Sequence, residues 1–169
     1  MSDRPPPAEA GFAIKHEIFV LDANLLAPLD QTHMEPITRN LVVDLMASLG
    51  LTELGKLELY PALDLRAPGW SFVQPITTSH ITGHYFEKPG KHPHIHMDIY
   101  SCDAIEWKGI VAIIDKHLKL ADWRASFVTR GWGDEAREYL DLAGEGAELA
   151  TQLTMVPQSR VMQVGMIVA

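Results

Sequence analysis

Cysteine is almost absent from this chain, because Cys102 is the only one among 169 residues. A single thiol excludes an internal disulfide and a zinc site built from several cysteines, but it leaves open one functional thiol. No apolar run approaches the roughly 20 residues that a membrane-spanning helix needs. The N-terminal segment also lacks the basic start and apolar stretch of a signal peptide. We therefore expect a cytoplasmic protein with no membrane partner.

Basic residues are also scarce, with 14 Lys and Arg against 22 Asp and Glu, which gives a formal net charge of -8. This balance argues against a nucleic-acid partner, whose phosphates favour clustered Lys and Arg. It is compatible with a cationic small substrate, although an acidic surface more often serves solubility alone. The 47% hydrophobic fraction is ordinary for a globular domain. We predict a disordered tail over residues 1–12, which contains three consecutive prolines, and a single domain over residues 13–169.

The pattern of apolar residues predicts an α+β fold, a two-layer sandwich with a mainly antiparallel sheet and helices on one face. The first elements are a strand over 14–21, a helix over 30–49 stopped by Gly50, a strand near 57–59, and extended segments over 70–76 and 77–85 with a break at Pro75. Next come a loop at 88–91, a strand over 95–101, a helix over 104–120 capped by Asp103, and a strand over 123–130. The C-terminal part predicts a helix over 134–142, a break at 144–146 and a last strand over 161–168.

Histidine is concentrated in the segment TSHITGHYFEKPGKHPHIH, residues 78–96, which holds five of the eight histidines. Residues two apart on a strand share a face, so two of these imidazoles could bind zinc or iron together. The metal-ligand set on this interpretation is His80, His84, His94 and His96, with Glu87 or Asp98 to complete it. His-x-His is a common pairing, however, and the simpler interpretation is that His92 and His94 are solvated while His96 pairs with a nearby acid. We favour the simpler interpretation.

Ser79 and Cys102 give the same segment a second interpretation. The run SHITGH at 79–84, followed by Glu87 and by DIYSC at 98–102, resembles the core of the bacterial pyruvoyl-dependent S-adenosylmethionine decarboxylase family. In that family a Ser-His pair marks a self-cleavage point, and a second histidine follows the serine by five residues. A cysteine ends a strand of the type Asp-apolar-aromatic-hydroxyl-Cys. The resemblance extends over about residues 13–131.

The resemblance implies a specific chemistry for these residues. The chain would cleave itself between Thr78 and Ser79, and Ser79 would become a pyruvoyl group that forms a Schiff base with the substrate amine. His84 would assist the proton transfers of this processing, and Cys102 would protonate the decarboxylated product. The acidic neighbours of a sulfonium substrate would be Glu17, Glu87 and Asp98. The implied activity is decarboxylation of S-adenosylmethionine, or of another amino acid, in polyamine and spermidine biosynthesis, by a homodimer or other homo-oligomer.

Three features depart from the family pattern. Thr78 precedes the serine where the family has glutamate, and Tyr85-Phe86-Glu87 with an extended loop replaces Thr-Trp-Pro-Glu. The segment from residue 134 onward has no counterpart. An unbroken strand would also place Ser79 and His84 on opposite faces, so we expect a bulge at Gly83, or movement of the new chain end after cleavage, to bring them together. Two alternatives therefore stay open, an unprocessed relative that binds or regulates and a metal-dependent enzyme built on the histidines.

Overall fold

An eight-stranded antiparallel sheet forms one layer of the protein in a computed structural model, which describes residues 14–130 and 137–155. The strands are β1 (His16–Leu25), β2 (Glu58–Pro61), β3 (Gly69–Ile76), β4 (Ser79–Phe86), β5 (His94–Ser101), β6 (Leu120–Arg130), β7 (Glu138–Glu145) and β8 (Glu148–Met155). The helices are α1 (Met34–Leu49) and α2 (Ile110–Leu118), preceded by 3-10 turns at Gln31–His33 and Trp107–Gly109. The strands lie in the order β2-β3-β4-β5-β1-β6-β7-β8.

Both helices cover the same face of the sheet. Along β1 every second residue is buried, from Phe19 through Leu21 to Leu25, and these side chains belong to one core with Leu45 of α1 and Ile114 of α2. The alternation arises because successive side chains of a strand point to opposite faces. No helix among the described residues covers the other face, which we call the open face. The predicted two-layer α+β sandwich is confirmed.

The first helix follows its sequence pattern closely. The spacing of three and four places Leu41, Val42 and Leu45, together with the polar Thr38, against the sheet. The helix ends where Gly50 adopts a left-handed conformation with φ +64°, and the Gly50 amide donates a hydrogen bond to the Met46 carbonyl. Glycine at this position is the usual helix stop, because it lacks the Cβ that makes left-handed backbone unfavourable.

The second helix begins later than the sequence predicts. Its first α-helical residue is Ile110, not residue 104. Asp103 therefore does not cap this helix, and its carboxylate accepts a hydrogen bond of 2.7 Å from the Ala104 amide in a local turn. The reason is that Ile105 is buried and its amide donates to the Glu17 carboxylate on β1. The chain therefore runs into the core before it can start a helix.

The predicted helix over 134–142 is wrong where the structure describes it, because residues 138–142 lie in β7. Leu140 and Leu142 alternate with more polar neighbours, so the strand period of two prevails over the helical period in this short segment. The strand also continues through Gly144, where an added Cβ would lie 2.5 Å from the Trp123 ring, and the turn comes at Gly146 with φ +53°. The strand β8 was not predicted. The predicted tail over 1–12 and the predicted strand over 161–168 lie outside the described residues.

Candidate active site

The peptide bond between Thr78 and Ser79 lies in a tight hairpin that joins β3 to β4. Ile76 pairs with Ser79, so Thr77 and Thr78 form a two-residue turn, and the strand runs unbroken through Pro75, where a break was predicted. Ser79 has φ +154°, a conformation that residues with a side chain rarely adopt. Such backbone strain persists only where the surrounding structure enforces it, and it is often found at functional sites.

The carbonyl group of Thr78 is held by the residue that follows β5. The backbone amide of Cys102 donates a hydrogen bond of 2.9 Å to the Thr78 carbonyl oxygen, and Ser101 lies directly opposite Ser79 in the strand register. A donor at a carbonyl oxygen stabilises the negative charge that forms when a nucleophile adds to the carbonyl carbon. The structure thus brings Ser79 and Cys102 together at the predicted cleavage point.

The side chain of Thr78 is unusual as well. Its hydroxyl oxygen, Oγ1, is buried and has no hydrogen-bond partner, and it is the one such side-chain atom in the part of the chain that the structure describes. The other buried hydroxyls in residues 14–130 and 137–155 are paired. The Thr38 hydroxyl accepts a hydrogen bond of 2.9 Å from the Trp70 indole, and the Ser101 hydroxyl accepts one of 3.0 Å from the Asp103 amide.

Glu17 on β1 binds the segment that follows Cys102. This side chain is only 7% exposed, and its carboxylate accepts a hydrogen bond of 2.6 Å from the Ile105 amide. Glu17 pairs with Ser101 across β1 and β5, so it lies in the same row as Ser79. The resemblance assigned Glu17 to the substrate, whereas its contact in the structure is to the backbone that positions Cys102.

The histidine that contacts Ser79 of the same chain is His80. Its Nδ1 atom lies 3.1 Å from the Ser79 hydroxyl oxygen, and its ring packs edge-on against Tyr100 at 5.8 Å between centres. The Tyr100 hydroxyl is 2.6 Å from Nδ1 of His16, and the Arg130 guanidinium lies over the Tyr100 ring. The sequence pattern indicated a role for His80 only as a metal ligand, because cross-strand neighbours such as Tyr100 can be identified only when the strand register is known.

His84 does not approach Ser79 of the same chain. The strand β4 pairs in continuous register with both neighbours, so the expected bulge at Gly83 is absent. Glycine is required at position 83 for packing, since an added Cβ would lie 2.4 Å from the Phe72 ring. Five strand residues span roughly 16 Å and end on the opposite face. His84 is therefore on the open face, where its Nδ1 lies 2.7 Å from the Ser71 hydroxyl.

The two remaining predicted substrate-binding acids also lie away from Ser79. Glu87 follows β4 at the far end of the strand, and its carboxylate accepts a hydrogen bond of 3.0 Å from the Gln31 side chain. Asp98 lies at the middle of β5, opposite Thr82 on one side and Val20 on the other, and on the open face.

His94 and His96 form a separate group at the far end of the open face. The Nδ1 atom of His96 pairs with the Asp22 carboxylate, as the simpler interpretation predicted. The His94 ring lies 5.3 Å from that of His96 and 5.4 Å from that of Phe86. This group borders a shallow cavity of about 480 Å³. Across residues 14–130 and 137–155, no three His, Cys, Asp or Glu side chains gather as a metal-binding group. The alternative ligand set His80, His84, His94 and His96 is thus not assembled in the described structure.

Fold and site together define a two-layer α+β protein with a strained serine, a held carbonyl and a cysteine at one end of its sheet. The sequence model of the S-adenosylmethionine decarboxylase family matches residues 28–131, more than half of the chain, and the chain belongs to this family. The suspected resemblance is confirmed. The match includes Ser79, His84 and Cys102 but not β1, β7 or β8. No curated protein sequence matches the chain, and none of the helices in the described ranges is long and apolar enough to cross a membrane.

Proposed function

We propose that this protein is a pyruvoyl-dependent decarboxylase of S-adenosylmethionine that cleaves itself between Thr78 and Ser79 and acts in the cytoplasm in polyamine and spermidine biosynthesis. Membership of the family supports a decarboxylase-like function on a small-molecule substrate. The observation that carries the self-cleavage is the hydrogen bond from the Cys102 amide to the Thr78 carbonyl, beside the strained backbone of Ser79.

Processing begins at the held carbonyl. The Ser79 hydroxyl oxygen adds to the Thr78 carbonyl carbon, and the π electron pair moves to the oxygen that the Cys102 amide binds. The bond from this carbon to the Ser79 nitrogen then breaks, and the nitrogen takes the proton that left the hydroxyl. An ester replaces the amide, and the strained peptide conformation at Ser79 is released.

Elimination completes the cut. Ser79 loses its Cα proton to a base, the Cβ–Oγ bond breaks, and Thr78 departs as a carboxylate. Water then replaces the nitrogen, which leaves as ammonia, so the three carbons of Ser79 end as a pyruvoyl group at a new chain start. Ser79 fits this fate because it is the first residue of β4, at a turn where two chain ends can separate. The group supplies an electron sink when carbon dioxide leaves the substrate.

The neighbouring side chains suit the proton transfers. The Ser79 hydroxyl is within hydrogen-bond reach of His80, and a neutral imidazole carries one nitrogen that accepts a hydrogen bond and one that donates. Cys102 is proposed as the proton donor to the product. Asp98 and Glu87 stay proposed as acids that favour a sulfonium cation.

His84 requires a second copy of the chain for its implied role, because its own Ser79 is roughly 16 Å away on the other face. We therefore propose a homo-oligomer in which His84 of one copy reaches the Ser79 end of the sheet in another copy. Mixing Ser79→Ala chains with His84→Ala chains tests this part. Cleavage of the His84→Ala chain in the mixture supports it, and cleavage of that chain by itself contradicts it.

Intact-mass analysis and a denaturing gel of the purified full chain test the self-cleavage. We expect fragments 1–78 and 79–169 in place of one 18.8 kDa chain, and a single intact chain for Ser79→Ala. Ser126→Ala is the matched control, because this serine lies three strands away and its hydroxyl donates to Asp141. An intact wild-type chain overturns the proposal. If that intact chain still bound S-adenosylmethionine, the alternative of an unprocessed binding or regulatory relative would replace it.

A further inference from the structure

The unpaired hydroxyl of Thr78 is the feature that the proposed function leaves unexplained. A buried hydroxyl without a partner loses its hydration and gains no hydrogen bond in return. The fold satisfies the buried hydroxyls of Thr38 and Ser101, so it does not tolerate this loss generally. The unpaired oxygen belongs to the residue whose carbonyl is attacked.

The position of the Thr78 hydroxyl indicates at which step of the reaction it can form a hydrogen bond. It is attached to the carbon next but one to the Thr78 carbonyl carbon, so a hydrogen bond to the oxygen of that carbonyl closes a six-membered ring. In the folded chain this oxygen already accepts from the Cys102 amide. When Ser79 adds to the carbon, the oxygen becomes an anion, which is a stronger acceptor with lone pairs to spare.

We propose that the Thr78 hydroxyl is a second hydrogen-bond donor, beside the Cys102 amide, to the oxyanion formed on its own carbonyl during self-cleavage. The inference rests on the proposed function and adds a residue to it. The hydroxyl keeps its proton throughout, so the bonds that form and break are those of the processing step alone. An interaction made only in the transition state lowers the barrier, whereas one present in both states does not.

This role gives a chemical meaning to threonine at the position where the family has glutamate. A neutral hydroxyl donates to an anion, while an ionised carboxylate has no proton to donate. The chain would therefore process through a hydrogen-bonding arrangement of its own at this position.

Two substitutions separate the hydroxyl from the shape of the side chain. Thr78→Val keeps the shape and removes the hydroxyl, and Thr78→Ser keeps the hydroxyl. Chains are made in a short pulse of cell-free synthesis, and the passage of intact chain into fragments is followed on denaturing gels. We expect Val to slow cleavage by about tenfold or more, the effect of losing one hydrogen bond to a charged group, and Ser to stay near the wild-type rate. Thr77→Val, the exposed neighbour in the same turn, is the matched control.

A second readout excludes a merely structural role. In the uncleavable Ser79→Ala background, Thr78→Val removes an unpaired buried hydroxyl, so we expect a higher melting temperature. The same change thus slows cleavage and stabilises the fold, whereas loss of a structural contact would lower stability. Cleavage of Thr78→Val at the wild-type rate, or a lower melting temperature in the Ser79→Ala background, overturns the inference and leaves the proposed function intact. A wild-type chain that stays uncleaved overturns the proposed function itself.

Discussion

The two ends of the β4–β5 strand pair hold polar groups in contrasting ways. At the end beside Thr78, the Thr78 carbonyl and the Glu17 carboxylate are buried or half-buried. Each accepts a hydrogen bond from a backbone amide, that of Cys102 and that of Ile105 respectively. At the other end, His96 and Asp22 pair through side chains that are 48% and 63% exposed. Histidine is concentrated at the second end, whereas the buried hydrogen bonds to backbone groups, and the proposed cleavage point, are at the first.

Solvent accounts for the contrast. Water screens an exposed ion pair and competes for its hydrogen bonds, so such a pair contributes little. A hydrogen bond away from water acts in a lower effective dielectric, where it polarises its acceptor more strongly. The held carbonyl of Thr78 is therefore a better sign of function than the cluster of imidazoles.

The largest expected effect is the loss of decarboxylation in Cys102→Ala, a substitution that distinguishes the role of the Cys102 amide from that of its thiol. Cys102→Ala keeps the backbone amide, so we expect self-cleavage to persist within a few-fold. The variant loses the proposed proton donor, and decarboxylation should fall by about a hundredfold or more. Gels report the fragments, and release of labelled carbon dioxide from substrate reports turnover. An uncleaved Cys102→Ala chain would show that the thiol itself takes part in processing.

A smaller effect is expected from the support beneath Cys102. In the Ser79→Ala background, Glu17→Ala leaves the buried Ile105 amide without an acceptor, and we expect the free energy of unfolding to fall by roughly 1–3 kcal/mol. Urea unfolding measures the change. Glu17→Gln retains an acceptor and should lose less, and Glu148→Ala at an exposed site is the control. Equal stability of all three variants would mean that Glu17 does not hold the segment.

The smallest effect is expected at the histidine-rich end. His96→Gln removes the exposed contact with Asp22, and even a fully charged exposed pair is worth only about 0–1 kcal/mol at most sites. We expect unchanged self-cleavage on denaturing gels and a nearly unchanged urea midpoint in the Ser79→Ala background. If this substitution stopped cleavage, the exposed His96 end would influence the reaction at Thr78. The conclusion that only the buried end matters for cleavage would then be wrong.

Local patterns predicted much of the fold. The four-residue spacing of Ile37, Leu41, Leu45 and Leu49 with a glycine stop defines α1, and HIHMDIYS becomes β5, because both signals depend only on neighbours along the chain. The segment 138–142 was mistaken for a helix, since a short apolar segment matches both periods. The start of α2 was missed because a distant carboxylate, Glu17, sets it.

The candidate site was predicted in its residues but not in its contacts. Ser79 and Cys102 were recognised from their spacing, and the structure joins them. The pairing of Thr78 with the Cys102 amide, and the contact of His80 with Ser79, depend on strand register and side-chain direction. Neither can be derived from one sequence, because a shift of one residue reverses every side chain.

The strand order has a consequence for how the protein could refold after cleavage. A cut at Thr78 would assign β1, β2 and β3 to one fragment and the remaining strands to the other. Because β1 lies between β5 and β6, and β3 pairs with β4, the fragments are interleaved along three ladders. The nicked protein would stay assembled, but refolding would become a bimolecular event that depends on concentration. If the proposed cleavage occurs, the chain would fold as a single molecule only before the cut.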